Sequence, residues 1–132
     1  MIPKFRMWNK ITSKMHSVDG LYFDSEEVQY KDEVDVLRFI KFGNTILMQS
    51  TGLKDKNGEE IFEGDIIRYD IDVVDIKKHP TFGFYTVFDG REGFFGDGMS
   101  INDFEEDAKE FSKTVEIIGN IYENPELLEE EK

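Results

Sequence analysis

The sequence has no cysteine, only two histidines and only one tryptophan among its 132 residues. Without cysteine there is no disulfide framework, no thiolate nucleophile and no thiolate metal site. His16 and His79 lie far apart in sequence, and no serine sits in a strand–turn–helix nucleophile elbow. No apolar run approaches the roughly 20 residues that a membrane-spanning helix needs. No apolar leader precedes a small-residue cleavage site near the start. The expectation is a soluble, cytoplasmic protein with no membrane association. Positive charge is also scarce: 16 Lys and Arg face 29 Asp and Glu, a formal net charge of −13. Such a field repels phosphates at long range, so direct nucleic-acid binding is not expected. Attraction of basic proteins, or imitation of the charge of DNA, stays open.

The chain instead contains enough apolar residues for a core, 12 of them Phe, arranged mostly with period two. Residues 2–8 alternate and predict a first strand, with Pro3 placing its start at a sheet edge. Residues 14–18 predict a returning strand, and Asp19-Gly20 a turn before Leu21-Tyr22-Phe23. His16 reads as a surface residue here. Residues 24–35 are charged and weakly patterned, either a loop or a short polar helix. Residues 36–42 alternate, Gly43-Asn44 turns, and residues 45–49 read as the strand returning against them. Residues 65–73 form the clearest strand, with Ile67, Tyr69, Ile71 and Val73 on one face. Residues 82–88 predict another, and residues 115–122 a last one. Asn102 with Glu105 has capping-box spacing for a helix that places Phe104, Ala108 and Phe111 on one face. Asn124-Pro125-Glu126 reads as a second helix start, capped by Asn124. With no linker or repeat, the expectation is one domain over residues 1–132, mainly β (α+β) and antiparallel, with two short helices in the C-terminal third.

The most patterned stretch runs Thr51-Gly52-Leu53-Lys54-Asp55-Lys56-Asn57-Gly58-Glu59-Glu60-Ile61-Phe62-Glu63-Gly64-Asp65. Asn57-Gly58 suits a type I′ hairpin turn, and Asp55 to Gly58 equally suits a type I turn. Either brings Leu53 opposite Ile61 or Phe62, and Gly64-Asp65 then breaks the run. A calcium loop with Gly58 at its sixth position would begin at Leu53 and end at Gly64, neither of them a ligand.

Candidate chemistry is sparse. Asp70 and Asp72 would project from one face of the predicted strand, and with Asp65 and Asp75 they raise a carboxylate or metal-dependent enzyme. Without a local histidine, the favoured reading is a solvated face, with no catalytic, cofactor-binding or metal residue assigned. Residues 91–98 are glycine-rich but lack the lysine and helix start of a phosphate loop. Their Phe94 and Phe95, together with Trp8, are candidate partner contacts. Lys4, Arg6, Lys10 and Lys14 beside Trp8 form the one basic cluster that could hold a single strand.

Three stretches together resemble the YopX family. Residues 48–67, built on the patterned stretch above, resemble its signature. Val115-Glu116-Ile117-Ile118-Gly119-Asn120-Ile121-Tyr122-Glu123-Asn124-Pro125-Glu126-Leu127-Leu128 is similar to its closing motif, and Lys4-Phe5-Arg6-Met7-Trp8-Asn9 to its start. Met7 and Ser50 depart from the family's usual Ala and aromatic residues. The resemblance implies a barrel-like, mostly β fold and an origin in phages or prophages of Gram-positive bacteria. It carries no catalytic residue, only motif positions: Thr51, Gly52, Leu53, Asp55, Asn57, Gly58, Gly64, Asp65, Gly119, Asn120, Tyr122, Asn124 and Pro125. The expected function is a non-catalytic module that binds a host or phage protein and can form a homo-oligomer. The alternatives are the carboxylate enzyme and a nucleic-acid-related role.

Overall fold

The computed structural model describes residues 4–69, 71–80, 83–88, 91–96 and 113–129; for residues 88, 91–96 and 129 it describes the backbone alone. The fold is mainly β, and every pairing of strands is antiparallel. The chain clusters into two compact units, Met1–Ser50 and Thr51–Lys132.

In the first unit, β1 (Phe5–Asn9) pairs with β2 (Lys14–Ser17) on one side and with β6 (Thr45–Lys54) on the other. A second sheet is ordered β3 (Gly20–Tyr22), β4 (Glu27–Lys31), β5 (Leu37–Lys41). Met7, Val28, Tyr30 and Ile40 form the core, with Val18, Leu21, Phe42 and Leu47 packed against it. Three expectations change here. The polar stretch 24–35 contains β4, because Val28 and Tyr30 alternate with Glu27, Gln29 and Lys31 and bury against the core. β6 returns against β1 rather than β5, because a 3-10 turn over Phe42–Asn44 redirects the chain and Lys10 N–H bonds Asn44 O at 2.9 Å. The His16 side chain is only 8% exposed, with its ring 4.6 Å from that of Tyr30; it is part of the packing, not a surface residue.

In the second unit, residues 51–54 of β6 pair with β7 (Glu60–Phe62). β8 (Asp65–Tyr69) is the centre of a sheet, between β9 (Asp72–Asp75) and β13 (Val115–Asn120). β10 (Lys77–His79), β11 (Gly83–Phe88) and β12 (Arg91–Gly96) form another. Leu53, Ile61, Ile67, Ile76 and Val115 make the core, with Val74, Phe84 and Ile117 against it. The strand expected over 65–73 is two strands: the chain reverses between Tyr69 and Asp72, which face each other, and Ile71 is 82% exposed. Residues 91–96 of the glycine-rich stretch form β12, in which Phe94 lies across from Tyr85 and Phe95 from Phe84.

Glu126–Glu129 forms one helical turn, in contact with β9. The helix expected over 102–111 lies outside the described residues. Asn124 does not cap the turn with its side chain. Its carbonyl O accepts the first helical bond from Leu127 N–H, and its Oδ1 turns back to Asn120 N–H.

Candidate functional site

The two long motifs meet in the second unit. The turn between β6 and β7 takes the second of the two expected forms: Gly58 N–H donates to Asp55 O at 3.0 Å, and Asp55 N–H donates to Glu59 O. Gly58 stands at φ +81°, in the left-handed region that a side chain with a Cβ rarely enters. Continued along the hairpin, the Asp55–Glu59 register places Leu53 across from Ile61, two residues of one core cluster. The Thr51 hydroxyl spans the start of this hairpin, donating to Ile61 O at 2.7 Å and accepting from Leu53 N–H across Gly52.

Asp55 is the centre of the junction, with only 4% of its surface exposed. One carboxylate oxygen accepts from Asn57 and Glu59 N–H, both at 2.9 Å. The other accepts at 3.0 Å from Ile117 N–H, in the closing motif. Lys56 N–H, next in the chain, donates to Val115 O. Burial alone would push the Asp55 carboxyl up. The N–H groups of Ile117, Glu59 and Asn57, with a further bond from the Asn57 side chain, outweigh it and hold the carboxyl below the ordinary aspartate range.

A second contact joins the same motifs. Asp65 pairs with Asn120, and Ile121 N–H donates to Gly64 O at 2.9 Å. The Asp65 carboxylate is buried and accepts from Phe62 N–H at 2.7 Å. Asn120 folds the chain around itself: Oδ1 accepts from Tyr122 and Glu123 N–H, while Nδ2 donates to Glu123 Oε1. A β-bulge between Ile117 and Gly119 shifts the register just before this turn. Gly119 is dictated by contact, since a Cβ there would lie 2.5 Å from Asn124 Oδ1. Pro125 follows on the surface.

The side chains of Thr51, Asp55, Asp65 and Asn120 thus bind the main chain of their own motifs, and their chemistry is that of a clasp. The single strand expected over 65–73 to carry these carboxylates is not formed, since β8 ends at Tyr69 and β9 begins at Asp72. Asp70 itself lies outside the described residues. Asp72 faces Tyr69, and Asp75 bonds Lys77 Nζ at 2.9 Å. Among the described residues no three His, Asp or Glu side chains converge as metal ligands. No helix among them is long and apolar enough to cross a membrane.

The basic cluster is partly engaged locally: Lys10 Nζ bonds Gly43 O, and Lys14 pairs with Glu33 at 3.1 Å. Trp8 is half-buried in β1, between Met15 and Ile46 on the neighbouring strands. The side chains of Phe94 and Phe95 lie outside the described residues.

Most of the large exposed apolar side chains lie elsewhere, apart from Ile11, Tyr69 and Ile71. Tyr22, Phe23, Val34, Val36, Leu37 and Phe39 are 46–75% exposed, all on or beside the β3–β4–β5 sheet. The Tyr22 and Phe39 rings sit 5.8 Å apart. The sequence carried one signal of this surface: residues 36–42 are apolar on both faces of the alternation, and only one face can enter a core. Charge divides sharply between the units. Residues 1–50 hold seven basic and seven acidic side chains; residues 51–132 hold nine and 22, so the whole net charge of −13 falls in the second unit.

The family model described as "YopX protein" matches residues 4–129. The crystal structure of protein EF1440 from Enterococcus faecalis is similar at 32% identity, with a TM-score of 0.50, covering 97% of this chain and 99% of that one. No curated protein matches the chain.

Proposed function

The chain belongs to the YopX family, and from that premise we propose that it is a non-catalytic protein-interaction module of phage or prophage origin. The observation that carries this reading is a division of labour. Thr51, Asp55, Asp65 and Asn120 of the motifs bind their own backbone, whereas six large apolar side chains of the β3–β4–β5 sheet and its turns face solvent. An exposed apolar cluster such as Tyr22 with Phe39 marks a binding site for another protein. The test is affinity capture with the full chain from a Gram-positive bacterial lysate. It returns one or a few stoichiometric proteins on this reading; recovery of nothing above background counts against it.

A second reading is favoured by the confinement of the charge to residues 51–132. A surface of that sign draws basic partners, including the DNA-facing side of a DNA-binding protein. Competition with labelled duplex DNA for a captured partner tests it. Displacement that weakens with added salt supports the reading, and indifference to DNA removes it.

A further inference from the structure

We propose that β5 is a self-docking strand, through which two copies of this chain join into one continuous sheet. The inference rests on the interaction-module reading and names its surface and partner. Phe42 N–H donates to Glu26 O, and Asp32 N–H donates to Val36 O. These bonds fix which residues of β5 turn their main chain toward β4: the even-numbered ones. In an antiparallel ladder the alternate residues face the other way. The N–H and C=O groups of Leu37, Phe39 and Lys41 therefore point to the outer edge, where no strand among the described residues pairs. Residues 33–39 are exposed throughout. An open edge with apolar side chains is a template for another strand unless it is blunted. Among the described residues no proline or bulge interrupts β5, and Arg38, on the face of the buried Ile40, is neutralised by Asp32.

The occupant that fits is a second copy. Antiparallel pairing about Arg38 brings only odd-numbered residues into bonded positions, as the edge requires. Leu37 then lies across from Phe39 of the second copy, twice by symmetry. Arg38 stands at the axis, but its guanidinium is already paired with the Asp32 carboxylate. The net charge supports the same choice. Residues 1–50 sum to zero, so the docking unit carries no net repulsion of its own, and the acidic charge lies in residues 51–132. A strongly basic partner would be drawn to those residues and not to β5.

The experiment is sedimentation equilibrium of the full chain from micromolar to millimolar concentration, with Phe39→Lys and Leu37→Lys alongside. Both side chains are about half exposed, so the variants keep the fold, checked by circular dichroism. The wild type should approach twice the chain mass, and each variant should weaken the association at least about tenfold. Amide exchange adds a readout of the edge itself. Leu37, Phe39 and Lys41 N–H should slow as concentration rises, while Ile40 N–H stays protected throughout. A wild type that remains monomeric, or a dimer that neither substitution weakens, overturns the proposal. A monomer that still captures a partner from lysate overturns it and leaves the proposed function standing; a dimer that captures none does the reverse.

Discussion

Removing the Asp55 carboxylate is the sharpest perturbation of the clasp. In Asp55→Ala, three main-chain N–H groups lose their acceptor: Asn57, Glu59 and Ile117. Bonds to a charged group contribute about 1.5–3 kcal/mol each, and a buried donor left bare costs about 1–3 kcal/mol. The turn amides can recover water more readily than Ile117, so the expected loss is about 3–5 kcal/mol in all. Against a domain stability of about 5–15 kcal/mol, that is a large share. Asp55→Asn keeps one acceptor for the turn but sets an amide N–H₂ against Ile117 N–H, or the reverse. Its expected loss is about 2–3 kcal/mol. The assay is urea unfolding followed by circular dichroism. The pH dependence has a fixed sign. The Asp55 carboxyl is depressed in the folded state, so the folded state favours its ionised form. Its contribution is complete above the unfolded value of about 3.9 and is lost as pH falls through the folded value. The wild type should lose stability over that acid window, and Asp55→Asn should lose less. A loss under about 0.5 kcal/mol for Asp55→Ala, the range of an ordinary surface substitution, would refute the reasoning.

Three further outcomes follow from other contacts. Gly119→Ala should destabilise by about 1–3 kcal/mol by overpacking against Asn124, and a Gly119→Ala, Asn124→Ala pair should show strong non-additivity in urea melts. Asn9→Ala should cost about 1–2 kcal/mol, since the buried Asn9 accepts from Ile11 and Thr12 N–H to form the turn after β1; an unchanged midpoint speaks against that role. The Arg38 guanidinium, and then Val36 N–H, hold the Asp32 carboxyl below the ordinary range. In an NMR titration Arg38→Ala should move it back up toward a free aspartate, and no movement would contradict the pairing.

What the sequence disclosed was local. The Asp55–Gly58 turn, the strand over Val115–Asn120 and the short helix after Pro125 each carry their signal in adjacent residues. What it hid depended on distant partners or on reversals without a marker. Nothing near residue 70 resembles a glycine or proline turn, so the β8–β9 reversal read as one strand and Asp70 and Asp72 fell on one face. β4 looked like a charged loop because its apolar content is only Val28 and Tyr30, buried by strands that come before and after it. β6 pairs with β1 across some 40 residues, a choice no local pattern encodes. Asp55 was visible as a turn residue, but its bond to Ile117 was not. The co-occurrence of two long motifs far apart in sequence was the one signal that they share a structure.

Native-state amide exchange at Ile117 tests the central claim most directly, because that N–H is the link between the motifs. The account predicts exchange as slow as that of the central β8 amides in the wild type, accelerated by orders of magnitude in Asp55→Asn. Fast exchange in the wild type, at the rate of an exposed turn, would show that the clasp is not closed in solution.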